Sequence, residues 1–143
     1  MSVVVDASVA FKWFVADEPH VAEAVALLQD EAILLAPDIL LPEVCNTAWR
    51  SARLGRIEPD KPARIATVLP GLFASLIGSA SLAPRAVAIA RELDHPVYDC
   101  LYLSLAEARQ TTLVTADAHF LAKLSGTVWE ASALPLARYF SQA

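Results

Sequence analysis

The sequence predicts an α/β domain built on a mainly parallel sheet, and three observations carry that prediction. The chain opens on Ser2-Val3-Val4-Val5, a β-branched run apolar toward both faces, which suits the middle of a parallel sheet better than a half-exposed edge. Short apolar runs recur at 33–36, 73–77 and 112–115, separated by longer stretches of helical periodicity. Two of the runs, the first and 112–115, lead into a carboxylate at a helix start. That is the sheet edge where open α/β folds place their ligands.

Each element follows in order. Residues 7–15, Ala-Ser-Val-Ala-Phe-Lys-Trp-Phe-Val, read as the first helix, with Asp6 at its start. In 18–30 the apolar positions Val21, Ala24, Val25 and Leu28 recur at helical spacing. The strand at 33–36 is closed by Pro37. A helix over 39–54 ends at Gly55, with Pro42 starting it late or kinking its first turn. The weaker helix at 58–69 has Pro59 and Pro62 for its first turn and Pro70 as its stop. A third strand at 73–77 lies between Gly71 and Gly78. Ser81 opens a helix that carries Ala86, Val87, Ile89, Ala90 and Leu93 and stops before Pro96. Residues 98–109 form a strongly amphipathic helix, and 112–115 is the clearest strand after the first. A short helix follows Asp117 and runs to Leu124. The tail suggests a last strand at 127–130 and a final helical turn over 134–140. With no repeat, linker or low-complexity stretch, residues 1–143 are expected to form one domain.

Composition narrows the function. At 56% hydrophobic and 19% charged residues, the chain is more apolar than an ordinary small domain, and the excess is expected to cover a subunit or partner interface. No apolar run is long enough for a bilayer, and the N-terminus lacks a signal peptide's basic start and cleavage site. The expectation is a cytoplasmic protein with no membrane partner. Cys45 and Cys100 fit neither a metal-ligand spacing nor a disulfide framework and read as two buried free thiols. The formal net charge of −5 excludes nucleic-acid binding by global charge. A role on nucleic acid then needs a local basic patch or a bound metal.

Four acids lie at or near helix N-termini: Asp6, Glu43, Asp99 and Asp117. Taken singly, each also reads as a helix cap or an ordinary first-turn acid. Taken together, the connectivity brings at least three of them to one end of the sheet. Clustered carboxylates repel, and a hard divalent cation such as Mg²⁺ or Mn²⁺ resolves that cost with oxygen ligands and water. Asn46 shares a helix face with Glu43, and Arg50 continues it. Asn is an unusual choice there unless its amide is satisfied. Ser8 and Thr115 are hydroxyls placed to hold the carboxylates beside them. His20, His95 and His119 show no paired spacing, so no zinc site is expected and each reads as a surface histidine.

Four stretches of the chain, Val4-Val5-Asp6-Ala7-Ser8-Val9, Pro42-Glu43-Val44 with Asn46, Tyr98-Asp99-Cys100-Leu101-Tyr102 and Leu113-Val114-Thr115-Ala116-Asp117, together resemble the PIN-domain ribonucleases, most closely the VapC-type toxins of toxin–antitoxin pairs. They occur in the family's order and span nearly the whole chain. Cys100 after Asp99 is a small variation. The resemblance implies a three-layer α/β/α sandwich in which Asp6, Glu43, Asp99 and Asp117 bind Mg²⁺ or Mn²⁺ and hydrolyse RNA, with Ser8, Asn46 and Thr115 supporting them. Asp6 and Asp99 are the first candidates for direct ligation. It also implies a homodimer and a VapB-type antitoxin, whose tail would pack on the helices at 18–30 and 58–69. Lys12, Arg50, Arg53 and Arg56 are candidates for contacting flanking phosphates, although an ordinary solvated face suits Arg53 and Arg56 better.

Other readings fit less well. A receiver domain needs paired acids after its first strand, which Val5-Asp6-Ala7 does not supply. A haloacid-dehalogenase-type phosphatase needs an Asp where Ser8 stands. A non-catalytic PIN-like module that binds RNA or a protein is the alternative from another class.

Overall fold

The computed structural model describes residues 1–140. Among them the strands are β1 (Ser2–Val5), β2 (Ile33–Pro37), β3 (Ser75–Ile77), β4 (Leu113–Thr115) and β5 (Ala133–Pro135). They form one sheet in the order β3-β2-β1-β4-β5, and every neighbouring pair is parallel. The helices are α1 (Ala7–Ala10), α2 (Val21–Gln29), α3 (Leu40–Arg53), α4 (Lys61–Val68), α5 (Ser79–Leu93), α6 (Val97–Ala108) and α7 (Ala118–Leu124). Helix layers on both faces leave the central strands no solvent face: Val4, Val5, Leu113 and Val114 are fully buried. This burial is why β1 and β4 read as continuous apolar runs rather than alternating ones. The α/β/α sandwich is the predicted fold.

The order of the strands positions the site. From β1 the chain winds outward through β2 to β3, then crosses back to place β4 on the other flank of β1 and β5 beyond it. The direction of winding therefore reverses between β1 and β4, and the carboxyl ends of those two strands frame a crevice. Asp6 follows β1 directly, and Asp117 stands two residues past β4.

Several local details depart from the sequence expectation. The first helix tightens after Ala10 into a 3₁₀ segment over Phe11–Phe14. There Trp13 donates its indole N–H to the Ala24 carbonyl at 2.8 Å and packs on Phe73. Helix α2 begins at Val21, after His20 takes a left-handed φ of 62°, and α4 begins at Lys61. Pro42 neither delays nor breaks α3: it falls in the first turn, where a missing N–H costs nothing. Gly55 ends α3 at φ 75°, its N–H bonded to the Ala52 carbonyl and that of Arg56 to Ser51.

The last strand is Ala133–Pro135, not 127–130. Val128 is 82% exposed and Trp129 is buried in a turn, so the apolar pair there marks one anchored ring rather than a strand. Pro135 is tolerated because β5 is an edge. Only Leu136–Arg138 of the final segment is helical, as a 3₁₀ turn. Cys100 is buried as expected, but Cys45 is partly exposed on α3. No helix among the described residues is long and apolar enough to cross a membrane.

Candidate active site

Asp6 is the most constrained residue of the crevice. Its backbone is still extended when the chain leaves β1, at φ −93° and ψ 176°, and its side chain caps α1. It is only 7% exposed, so both of its oxygens need partners away from bulk water. Oδ1 accepts from the Ser8 hydroxyl at 2.6 Å and from the Val9 N–H at 3.2 Å, while Oδ2 accepts from the Thr115 hydroxyl. The same two hydroxyl oxygens accept backbone N–H groups from the other flank: Ser8 from Ala116 and Thr115 from Asp117, both at 3.0 Å. Each hydroxyl has one proton, already directed at Asp6, so the 3.5 Å contact between Ser8 and Thr115 is proximity rather than a further bond. Through these bonds the Asp6 carboxylate ties the β1–α1 junction to the β4–α7 junction.

Burial pushes the Asp6 carboxyl up from 3.8 to about 6, against the opposing pull of the Ser8, Thr115 and Val9 donors, and the charge of Asp99 adds to the rise. The Glu43 carboxyl is also raised, first by burial and then by Asp99, with the Tyr102 hydroxyl pulling it down. Tyr102 is 2% exposed and donates to Glu43 Oε1 at 2.6 Å. Burial and the charges of Glu43, Asp6 and Asp99 hold its phenol protonated well above its ordinary range. Asp6 and Glu43 each feel the charge of Asp99, and all three act on one buried phenol. Tyr102 stands three residues past Asp99 on α6, one turn along the same face.

Asp99 stands in the first turn of α6 but does not cap it; Pro96 occupies the cap position. Its Oδ2 lies 2.7 Å from Nε2 of His95, whose side chain is only 7% exposed. His95 is therefore not the surface histidine the sequence suggested: it is packed between helices, its ring 4.9 Å from that of Phe120. Asp117 is a cap in full, with Oδ1 accepting the Phe120 N–H at 3.0 Å. It sits at the mouth of the same crevice, joined to Asp6 through the Thr115 hydroxyl. Cys100 takes no part in ionic chemistry, since burial and the neighbouring Asp99 push its thiol up to about 11.

Asn46 departs from its expected setting. It shares the face of Glu43 but is exposed, and its amide has no partner among the described residues. Thr47, not Asn46, bonds the Glu43 turn, through its hydroxyl to the Glu43 carbonyl at 3.1 Å.

No Lys or Arg forms an ion pair with Asp6, Glu43, Asp99 or Asp117 among the described residues. The cluster is thus an oxygen-only donor set whose negative charge is uncompensated, apart from the imidazole on Asp99. A hard divalent cation is the chemistry that relieves such a set. Among the described residues, however, no three acidic, His or Cys groups stand close enough to form a ready-made cage. The donors therefore fit an ion that keeps several of its waters, as Mg²⁺ does, rather than one fully enclosed by protein.

A cavity of about 440 Å³ borders the cluster at Ser8 and Ala116 and continues past Lys12, Thr47, Arg50 and Arg56. Lys12 is 5% exposed and is held by Glu18 at 3.3 Å. Neither Arg50 nor Arg56 has an acidic partner among the described residues. Arg53 points elsewhere, its guanidinium over the Trp49 ring at 5.6 Å. Arg53 keeps the solvated-face reading; Arg56 is exposed as well, but it lines the cavity.

A family model for the PIN domain matches residues 3–124. Among solved structures, PAE2754 from Pyrobaculum aerophilum is 23% identical, with a TM-score of 0.71 over 99% of this chain and 88% of its own. VapC20 from Mycobacterium tuberculosis, described as a Sarcin-Ricin loop cleaving toxin, is 17% identical, with a TM-score of 0.67 over 89% and 97%. VapBC2 from Rickettsia felis, bound to a DNA fragment from its promoter, is 12% identical, with a TM-score of 0.62 over 94% and 98%. At these identities the likeness is one of fold. No curated protein matches the chain.

Proposed function

Because the chain belongs to the PIN domain family, we propose that it is a Mg²⁺- or Mn²⁺-dependent endoribonuclease, a single PIN-like domain acting in the cytoplasm as the toxin of a toxin–antitoxin pair. The observation that carries this is the buried Asp6 carboxylate at the β1/β4 crevice, coupled with Glu43 to the charge of Asp99, with no Lys or Arg ion-paired to any of them among the described residues. In this reading Asp6, Glu43, Asp99 and Asp117 hold the cation, directly or through water, with Asp6 and Asp99 as the direct ligands. The bound ion supplies a water acidic enough to attack a phosphodiester at neutral pH and positive charge for the phosphoryl oxygens.

The chain's own residues do the positioning. Ser8 and Thr115 fix both oxygens of Asp6, and Tyr102 fixes Glu43. Asn46 lies exposed on the Glu43 face, free to meet substrate rather than to brace a ligand. Arg50 and Arg56 form the local basic surface that an acidic chain needs in order to hold RNA, while Lys12 is buried beneath them and neutralised by Glu18. Arg50→Ala and Arg56→Ala are each expected to raise KM with little change in kcat. Each is also expected to make the salt dependence of log kcat/KM shallower by about 1, measured by cleavage of a labelled RNA across NaCl concentrations. An unchanged slope would remove that arginine from the RNA path.

The VapBC2 structure, a neighbour of the same fold, supports an antitoxin partner here; a homodimer is what the family resemblance implies. The inhibitor's chemistry would be an Arg or Lys side chain offered to the carboxylates in place of the metal.

The decisive experiment treats total cellular RNA with antitoxin-free protein in Mg²⁺, in Mn²⁺ and in EDTA. Discrete fragments in the metal arms and intact RNA in EDTA are expected. Cleavage that persists in EDTA would overturn the metal reading. Binding of RNA without cleavage in any arm would favour the non-catalytic module.

A further inference from the structure

We propose that His95 is a positioning residue that orients the Asp99 carboxylate toward the cation; this rests on the reading of Asp99 as a metal ligand. The sequence fixes the backbone of His95 from both sides. Asp94 takes a left-handed φ of 52° to end α5, and the His95 N–H bonds the Ala90 carbonyl at 3.1 Å. Pro96 follows at once, its ring holding φ at −55° as the cap of α6.

The imidazole is equally confined. Its ring lies 4.9 Å from the buried Phe120 ring, tilted by 32°, and 6.3 Å from the ring of His119. Nε2 meets Asp99 Oδ2 at 2.7 Å. An ionised carboxylate only accepts, so Nε2 is the donor. Asp99 needs such a partner. Its side chain is 33% exposed, the terminal torsion of an aspartate is broad, and it shares like charge with Asp6 and Glu43, whose carboxyls it helps to raise. One donor on Oδ2 restrains the carboxylate and leaves Oδ1 without a partner among the described residues. Phe120 also donates its N–H to Asp117, so the imidazole braces the helix start that carries the fourth acid. Outer partners of this kind, bonded to a ligating carboxylate, set metal affinity.

Mn²⁺ titration calorimetry on the full chain and two variants tests this. His95→Leu keeps an apolar body against Phe120 but has no donor, and is expected to weaken Mn²⁺ binding roughly 10–100-fold. His95→Gln places an amide N–H near the position of Nε2 and is expected to restore most of that loss. Unchanged affinity in His95→Leu would overturn the role. Equal weakening in both variants would overturn it too, since ring packing rather than the hydrogen bond would then be at work. An unmodified protein that takes up no Mn²⁺ would sink the metal reading itself, and the role of His95 with it.

Discussion

Replacing Asp6 by Asn is expected to lower RNA cleavage by about 10³-fold or more, while leaving the fold intact. The amide keeps the shape of the carboxylate and still caps α1 through Oδ1. It removes the charge on which a hard cation depends, and a loss of that size corresponds to about 4 kcal/mol of transition-state stabilisation, within what a bound metal contributes. The surroundings adapt at small cost. The new Nδ2 donates to Thr115 Oγ1, and the displaced Thr115 proton can turn toward Ser8 Oγ, 3.5 Å away. Cleavage of the RNA found to be the substrate, measured in Mn²⁺, decides the matter. Activity within tenfold of the unmodified protein would mean that Asp6 is only a helix cap.

The contribution of Asp6 to the stability of the metal-free protein is expected to fall as the pH rises from about 4 to about 6, opposite in sign to ordinary acid denaturation. The Asp6 carboxyl stands at about 6 in the fold against 3.8 as its ordinary value, mainly because burial penalises the charge. A group whose folded value is raised stabilises the fold when protonated. Its contribution is therefore complete below pH 3.8 and is lost as the pH passes through about 6, a change of about 3 kcal/mol. The quantity to measure is the difference between unmodified and Asp6→Asn protein in EDTA, which isolates Asp6 from every other group. The variant should gain on the unmodified chain across that window and stay more stable at pH 7. Saturating Mn²⁺ should then restore the unmodified chain and not the variant. Parallel stability curves for the two proteins would refute the assignment of the buried charge to Asp6.

Much of this was legible in the sequence, because the signals were local. Three consecutive valines specify a doubly buried strand, and an acid directly after such a strand locates the crevice. The hydroxyls Ser8 and Thr115 were found because they adjoin the acids they serve. What escaped depends on contacts between distant segments. His95 precedes a proline in what reads as a loop, and its burial comes from Phe120, a residue of another helix. The available signal was its spacing, four residues before Asp99. Tyr102 lay inside a recognised stretch but reads as one more apolar position of an amphipathic helix, and only the fold brings its hydroxyl to Glu43. Periodicity put Asn46 on the right face of α3 but could not show that the face opens to solvent there. The edge strand was misplaced because Trp129 supplied a hydrophobic signal that packing, not pairing, explains.

The strand order also has a consequence for synthesis. β1 is the first strand made, yet one of its two neighbours, β4, lies more than 100 residues downstream, with Val5 paired to Val114. Until the ribosome has released that segment, the hydroxyl of Thr115 cannot reach Asp6, and one flank of the central strand stays open. Such long-range closure is a late and slow step in folding. A nascent chain therefore carries Asp6 and Glu43 long before Thr115 and Asp117 emerge to complete the crevice. A chain truncated before β4 would keep the first acid and lack the hydroxyl that fixes it.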